Sequence, residues 1–171
     1  MDTKEKEQAK KETIEVAINR EIRSYVRKID KAANKEKEKM TYADFLKDRR
    51  LIIKMIRKGM PYSLFHKIRK TTPLSKEEWA EYLSLSTKTL QRHQKDPKYL
   101  FKPIYTEKII ELAEVISFGK EVFGSTAKFY AWLNTPSFAL GNQKPIELSK
   151  TSYGKELVMD ELNRIDHGIF A

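Results

Sequence analysis

The sequence predicts an all-α protein, and three observations carry that prediction. Apolar residues recur at spacings of three and four through most of the chain. No stretch shows the period-two alternation of a sheet strand. Gly and Pro punctuate the periodic stretches where helices should stop. The expected order is a charged, partly helical extension over 1–39, a compact helical domain over 40–104 and a second small helical domain over 105–171.

Residues 1–12 are charged and nearly devoid of apolar groups, so a frayed or disordered start is expected. From Thr13 the pattern changes: Ile14, Ile18, Ile22, Val26 and Ile29 fall on one helical stripe, opposite Glu15, Arg20 and Arg27. That stripe should dock on the chain's own core or on a second subunit. Residues 30–39, DKAANKEKEK, alternate charge without a stripe and read as a linker or an exposed helical extension. Tyr42 to Lys58 is expected to be one helix with Phe45, Leu46, Ile52, Met55 and Ile56 inward, ended by Gly59. Pro61 suits the start of the next helix, which buries Tyr62, Leu64, Phe65 and Ile68 before Pro73 closes it.

Leu74 to Lys95 is the most informative stretch. Ser75 is a good N-cap, and Glu78 can reach back to its backbone N–H, while Leu74 can pack on Trp79. Eleven residues on, the logic recurs with Ser86 as cap, Leu85 outside it and Leu90 inside. Trp79, Ala80, Leu83, Leu85 and Leu90 are the inward positions, and Ala80 is small where two helices would cross. Two short helices and a tight turn of this kind make a helix-turn-helix. Ser84 takes the turn position where glycine often supplies backbone freedom.

The outward face of the second helix is then Thr87, Lys88, Gln91, Arg92 and Lys95. Arg and Gln can each make two hydrogen bonds to a base edge, and Lys and Thr suit phosphate oxygens. A helix of this kind reads operator DNA from the major groove. Any short amphipathic pair has a polar outside, but doubled caps, a small crossing residue and a cationic face together weigh toward DNA. His93 is expected to pack, half-buried. Paired half-sites call for a homodimer or larger assembly, with the Ile14–Ile29 stripe as one candidate surface.

Asp96-Pro97 and Lys102-Pro103 break the chain, because a residue before proline is pushed out of helical geometry. Thr106 to Phe123 is the next predicted helix, with Ile109, Leu112, Ala113 and Ile116 on its stripe and Gly124 as its stop. Ser125 should cap a short helix burying Phe129, Trp132 and Leu133, ended at Thr135-Pro136. Residues 137–151 read as loop with at most one helical turn. Their Phe138, Leu140, Ile146 and Leu148 are too apolar for a free linker and should lie against neighbouring helices. Ser152 is expected to cap a last helix with Val158, Leu162 and Ile165 on one face, ended by Gly168. Ile169 and Phe170 either fold back on their own core or insert into a partner, and physics alone slightly favours self-docking.

A net charge of +10 favours a polyanionic partner. The absence of cysteine excludes disulfides, thiolate metal sites and thiol catalysis. No apolar run approaches the roughly 20 residues of a membrane span, and no signal-peptide core is present, so the cytoplasm is the expected location. His66, His93 and His167 are far apart and lack acids at ligand spacing. No HExxH, Gly-rich phosphate loop or nucleophile elbow occurs. Neither a catalytic residue, a metal site, a cofactor nor a membrane partner is expected, and Asp160, Glu161 and Asp166 read as a solvated face.

Several dispersed motifs then carry a family resemblance: VFG at Val122 to Gly124, WLNTP at Trp132 to Pro136, the apolar loop through Ala139, Leu140 and Gly141, and the ending RIDHGIFA from Arg164. In this order they closely resemble the toxin-binding domain of Xre/ParS-type antitoxins, and the preceding helix-turn-helix resembles their Xre-like DNA-binding domain. Asn142-Gln143-Lys144 departs from the many relatives that are shorter or more apolar there, and residues 1–39 have no counterpart in the resemblance.

The resemblance implies the antitoxin of a bacterial type II toxin–antitoxin pair whose toxin is a RES-domain, NAD-consuming enzyme. By the same resemblance, the C-terminal region blocks the toxin's active-site cleft and the helix-turn-helix represses the shared operon. Carried over by position, the blocking residues are Arg164, His167, Gly168, Ile169, Phe170 and the Ala171 carboxylate, which could pair with cations lining a dinucleotide pocket. Two other readings stand beside it: a stand-alone transcription regulator whose C-terminal helices mediate oligomerisation, and a protein-binding antitoxin without DNA binding.

Overall fold

The computed structural model of the chain describes residues 3–30 and 38–168. Among these the chain forms ten α-helices and no strand, as an all-α protein should. It divides into two compact units, Met1–Glu107 and Lys108–Ala171.

The first unit opens with a single long helix, α1 (Thr3–Ile29), where fraying was expected up to residue 12. The reason lies in the residues: Lys, Glu, Gln and Ala are strong helix formers, and with no Gly or Pro among them a helix anchored further on propagates backward. Ile18, Ile22 and Val26 are buried, with Ile14 and Ile29 half-buried, against α2 (Tyr42–Lys47), α3 (Arg49–Lys58) and α4 (Tyr62–Lys70). The stripe therefore docks on its own core, which corrects its candidacy as a subunit interface. Polar contacts fix the same docking. Glu21 accepts from Ser63 Oγ at 2.8 Å and pairs with Lys67 at 3.1 Å. Burial alone would raise the Glu21 carboxyl, but the Ser63 hydrogen bond and the Lys67 ammonium outweigh it and hold it below the ordinary range.

The stretch expected as one helix from Tyr42 to Lys58 is two. Asp48 stands between α2 and α3 in extended geometry, and its carboxylate accepts from the backbone N–H groups of Arg50 and Leu51. A side chain that caps this well competes with continuation of the helix. Phe45, Leu46, Ile52 and Met55 are buried as the periodicity requires, and Ile56 is half-buried. Gly59 ends α3 at φ 91°, and a Cβ there would sit 2.6 Å from the Phe101 carbonyl oxygen. That close approach lets Met60 and Phe101 meet: Phe101 N–H donates to Met60 O at 2.8 Å, and Met60 N–H donates to the buried Thr106 hydroxyl at 3.0 Å. Around this seam Phe65 meets Trp79 and Phe101 edge-on, at 5.4 and 5.1 Å between ring centroids.

Helix α7 (Pro103–Phe123) starts three residues before the expected Thr106, since proline is well suited to a helix's first position. Within the second unit its Ile109, Ile110, Leu112, Ala113, Val115 and Ile116 are buried. Ser125 caps α8 (Thr126–Asn134), which buries Phe129 and Leu133 and half-buries Trp132. Residues 137–151 hold two helical turns where one at most was expected: a 3-10 turn at Phe138–Leu140 and α9 (Pro145–Leu148), started by its proline. Leu140 and Ile146 are buried and Leu148 is half-buried, but Phe138 is 86% exposed, against expectation. The last helix, α10 (Ser152–Asp166), is capped by Thr151 rather than Ser152, because Thr151 holds the extended conformation from which a side chain can accept from Gly154 N–H. Val158 and Leu162 are buried and Ile165 is half-buried, while Lys155 pairs with Glu114 to tie α10 to α7. No described helix is long and apolar enough to cross a membrane.

Candidate functional site

Helices α5 (Lys76–Tyr82) and α6 (Thr87–Gln94) form the helix-turn-helix, each held by the caps the sequence specifies. Ser75 Oγ accepts from Glu78 N–H at 3.1 Å while the Glu78 carboxylate accepts from Ser75 N–H at 2.7 Å. Ser86 Oγ accepts from Thr89 N–H at 3.0 Å. Leu74, Trp79, Ala80, Leu83 and Leu90 are buried, and Leu85 is half-buried. Tyr82 is buried too, at 2% exposure, which its place in the helical period did not single out.

The turn depends on Ser84, which adopts the left-handed conformation at φ 54°. Two hydrogen bonds close it, Ser84 N–H to Glu81 O and Leu85 N–H to Ala80 O, the paired geometry that satisfies carbonyls at a helix end. The strain of a side chain at positive φ is thus held in place by the chain reversal it permits.

With Leu90 turned inward, α6 turns Lys88, Gln91 and Arg92 outward as exposed side chains. Lys95, the C-cap, continues that face and is exposed, and Thr87 at the other end is half-buried. The five residues therefore share one accessible surface: two bidentate hydrogen-bonding groups flanked by two ammonium groups and a hydroxyl. His93 lies off this face and stacks on Tyr99, ring centroids 3.6 Å apart and nearly parallel. Burial, with help from the Arg92 charge, lowers its pKa below the usual histidine value, so it packs as a neutral ring.

A cationic flank adjoins the pair that the sequence reading did not single out. Helix α4 ends in Lys67, Arg69 and Lys70, and Lys76 opens α5. Burial first, and then the charges of Lys70, Arg69, Lys67 and Lys76, depress the pKa of half-buried His66. Lys67 is engaged by Glu21, which leaves Arg69, Lys70 and Lys76 as the flank's cations. The signal for it was the run HKIRK just before the motif.

At the other end of the chain, α10 carries Arg164, half-exposed and loosely paired with Glu161 at 3.7 Å. His167 ends the helix, exposed, with Nδ1 2.7 Å from Asn163 O; a carbonyl only accepts, so Nδ1 carries the proton there. Gly168 follows at φ 68°, exposed, and turns the chain out of the helix. Ile169, Phe170 and Ala171 lie outside the described residues. Asp160 and Asp166 are exposed. Among the described residues no group of three or more His, Cys, Asp or Glu is arranged to hold a metal ion.

Comparison with known proteins finds a match to each region. Residues 51–114 match the model of the antitoxin Xre-like helix-turn-helix domain. Residues 119–168 match that of the antitoxin Xre/MbcA/ParS C-terminal toxin-binding domain. The chain is also similar to the protein named antitoxin Xre from Yersinia enterocolitica serotype O:8 / biotype 1B, at 25% identity over 122 residues, or 71% of this chain and 82% of the relative.

Proposed function

We propose that this chain, which belongs to the Xre antitoxin family and carries both of its domains in order, neutralises a RES-domain, NAD-consuming toxin in the bacterial cytoplasm and represses its own operon. The observation that carries the DNA half is the α6 surface: Thr87, Lys88, Gln91, Arg92 and Lys95 on one accessible side, Leu90 buried on the other. Arg92 and Gln91 read base edges, and Lys88, Lys95 and Thr87 hold phosphate, with Arg69, Lys70 and Lys76 extending the cationic surface. Two copies read paired half-sites, through a surface other than the α1 stripe.

The toxin half rests on the matched C-terminal domain and on the ending RIDHGIFA. Arg164, His167 and Gly168 lead into Ile169, Phe170 and the Ala171 carboxylate, which fill the toxin's dinucleotide cleft and meet its phosphate-binding cations. The chain acts by occupancy and takes no cofactor of its own.

Two measurements test the halves separately. Arg92→Ala should weaken operator binding by about 1–3 kcal/mol and relax preference at one base pair, with affinity falling steeply with salt for both proteins. Wild-type affinity in that variant removes Arg92 from base reading. For the toxin, NAD consumption by the neighbouring gene's product should be silenced by the wild-type chain and restored with I169D/F170D. Silencing by both proteins alike removes the tail from the mechanism.

A further inference from the structure

The second unit leaves three large apolar side chains in water. Phe138 is 86% exposed, Tyr153 85% and Leu157 54%, although the same 64-residue unit has a core that buries Phe129, Leu133, Val158 and Leu162 completely. Tyr153 and Leu157 are four residues apart on α10, and the 3-10 turn bearing Phe138 packs against that helix. An isolated exposed leucine means little, but two bare aromatics and a leucine on adjoining elements have the composition of an interface centre.

The loop presenting Phe138 is built to hold it there. Ser137 N–H donates to Gln143 O and Asn142 N–H donates back to Ser137 O at 2.8 Å, while Gly141 and Asn142 both take left-handed conformations at φ 67° and 58°. Leu140 is thereby turned into the core and Phe138 out of it. A loop closed by its own hydrogen bonds loses little freedom when a partner arrives. Continuity with the chain's end is equally direct: Tyr153, Leu157 and Arg164 follow one another at helical spacings of four and seven, and Gly168 comes four later. From Tyr153 to Arg164 the stripe runs about 16 Å along α10, and the proposed blocking tail begins just beyond the end of that helix.

Resting on the function proposed above, we infer that Phe138, Tyr153 and Leu157 form the toxin's docking surface, a site that supplies affinity separately from the tail that supplies inhibition. The occupant is the folded toxin, because the face lies wholly inside the stretch matching a toxin-binding domain and leads into the tail. It would meet an apolar patch on the toxin outside the catalytic cleft.

The test uses full-length chains and the neighbouring gene's product, scoring affinity by titration and inhibition by NAD consumption. F138S/Y153S/L157S should lose on the order of 30-fold or more in affinity, as loss of a hot-spot cluster does. I169D/F170D should stay within about tenfold of wild type in affinity yet fail to inhibit. V16S/I104S, which alters exposed apolar residues of the first unit, should change neither. Wild-type affinity in the triple variant overturns the docking surface and leaves the antitoxin reading standing. A lower mass of the free triple variant with toxin affinity intact also overturns it, making the face a contact between copies of the chain. Should the triple variant lose its helical circular dichroism, the single change Tyr153→Ser decides by the same titration. No binding of the neighbouring product by the wild-type chain would sink the antitoxin reading itself and this inference with it.

Discussion

The α5–α6 pair and the α10 face present opposite chemistry, and they were unequally visible in advance. The pair shows charge to solvent, which is where Lys, Arg and Gln go by default, so its orientation follows from two caps and the inward turn of Leu90. The α10 face and the 3-10 turn beside it show Tyr153, Leu157 and Phe138 to solvent, against the default for large apolar side chains, and only the fold reveals it. A charged face announces itself through local signals, whereas an apolar face becomes informative only once the core has been filled without it.

The sharpest way to break this contrast is to unseat one surface and spare the other. A Cβ at Gly154 would stand 2.0 Å from the Leu148 carbonyl oxygen, backbone that cannot step aside. Gly154→Ala should therefore destabilise the second unit by about 3 kcal/mol, as overpacking does. In calorimetry the second unit's transition should fall while operator binding persists at lower temperature. An unshifted melt would show that the Leu148 carbonyl can yield to the added methyl group. Next in size is Ser84→Gly, which relieves the left-handed strain in the other region and should raise the first unit's stability by up to about 1 kcal/mol. Operator affinity should be unchanged, and a lower melting temperature would show that the Ser84 side chain contributes more than its backbone strain removes.

The smallest effect is on pH. His66 and His93 titrate below the ordinary 6.5 in the folded protein, mainly because burial disfavours their charged forms. The unfolded chain thus binds protons first as the solution is acidified. Stability from these residues is complete above about 6.5 and declines below it, toward their depressed folded values. Both lie in the first unit, so its melting temperature should fall over that window, and H66Q/H93F should flatten the decline.

What the sequence revealed was local. The Ser75–Glu78 capping box, the glycine stops and the apolar stripe of α1 depend on neighbours within four residues, and each can be read from spacing. The left-handed Ser84 turn was likewise marked by its position. Three features needed the fold. The helix break at Asp48 turns on whether a carboxylate caps or points away, a choice periodicity cannot see. Phe138 was expected inward because it is apolar; the hydrogen-bonded loop around it decided otherwise. Gly154 is small because a carbonyl from another helix passes over it. Of the α6 residues expected outward, Lys88, Gln91, Arg92 and Lys95 are exposed, while Thr87 is half-buried beside the cap. Gly168's turn was legible, while Ile169 to Ala171 lie outside the described residues.

The folding of α1 onto α2, α3 and α4 has a practical corollary for handling this molecule. The matched helix-turn-helix stretch begins at residue 51, so a laboratory seeking a minimal DNA reader would be tempted to start there or near residue 40. That cut would uncover the apolar flank which Ile18, Ile22 and Val26 now seal, and would orphan the Glu21 partners Ser63 and Lys67. The truncated fragment should clump on purification, and its failure to bind a promoter would then say nothing about α6.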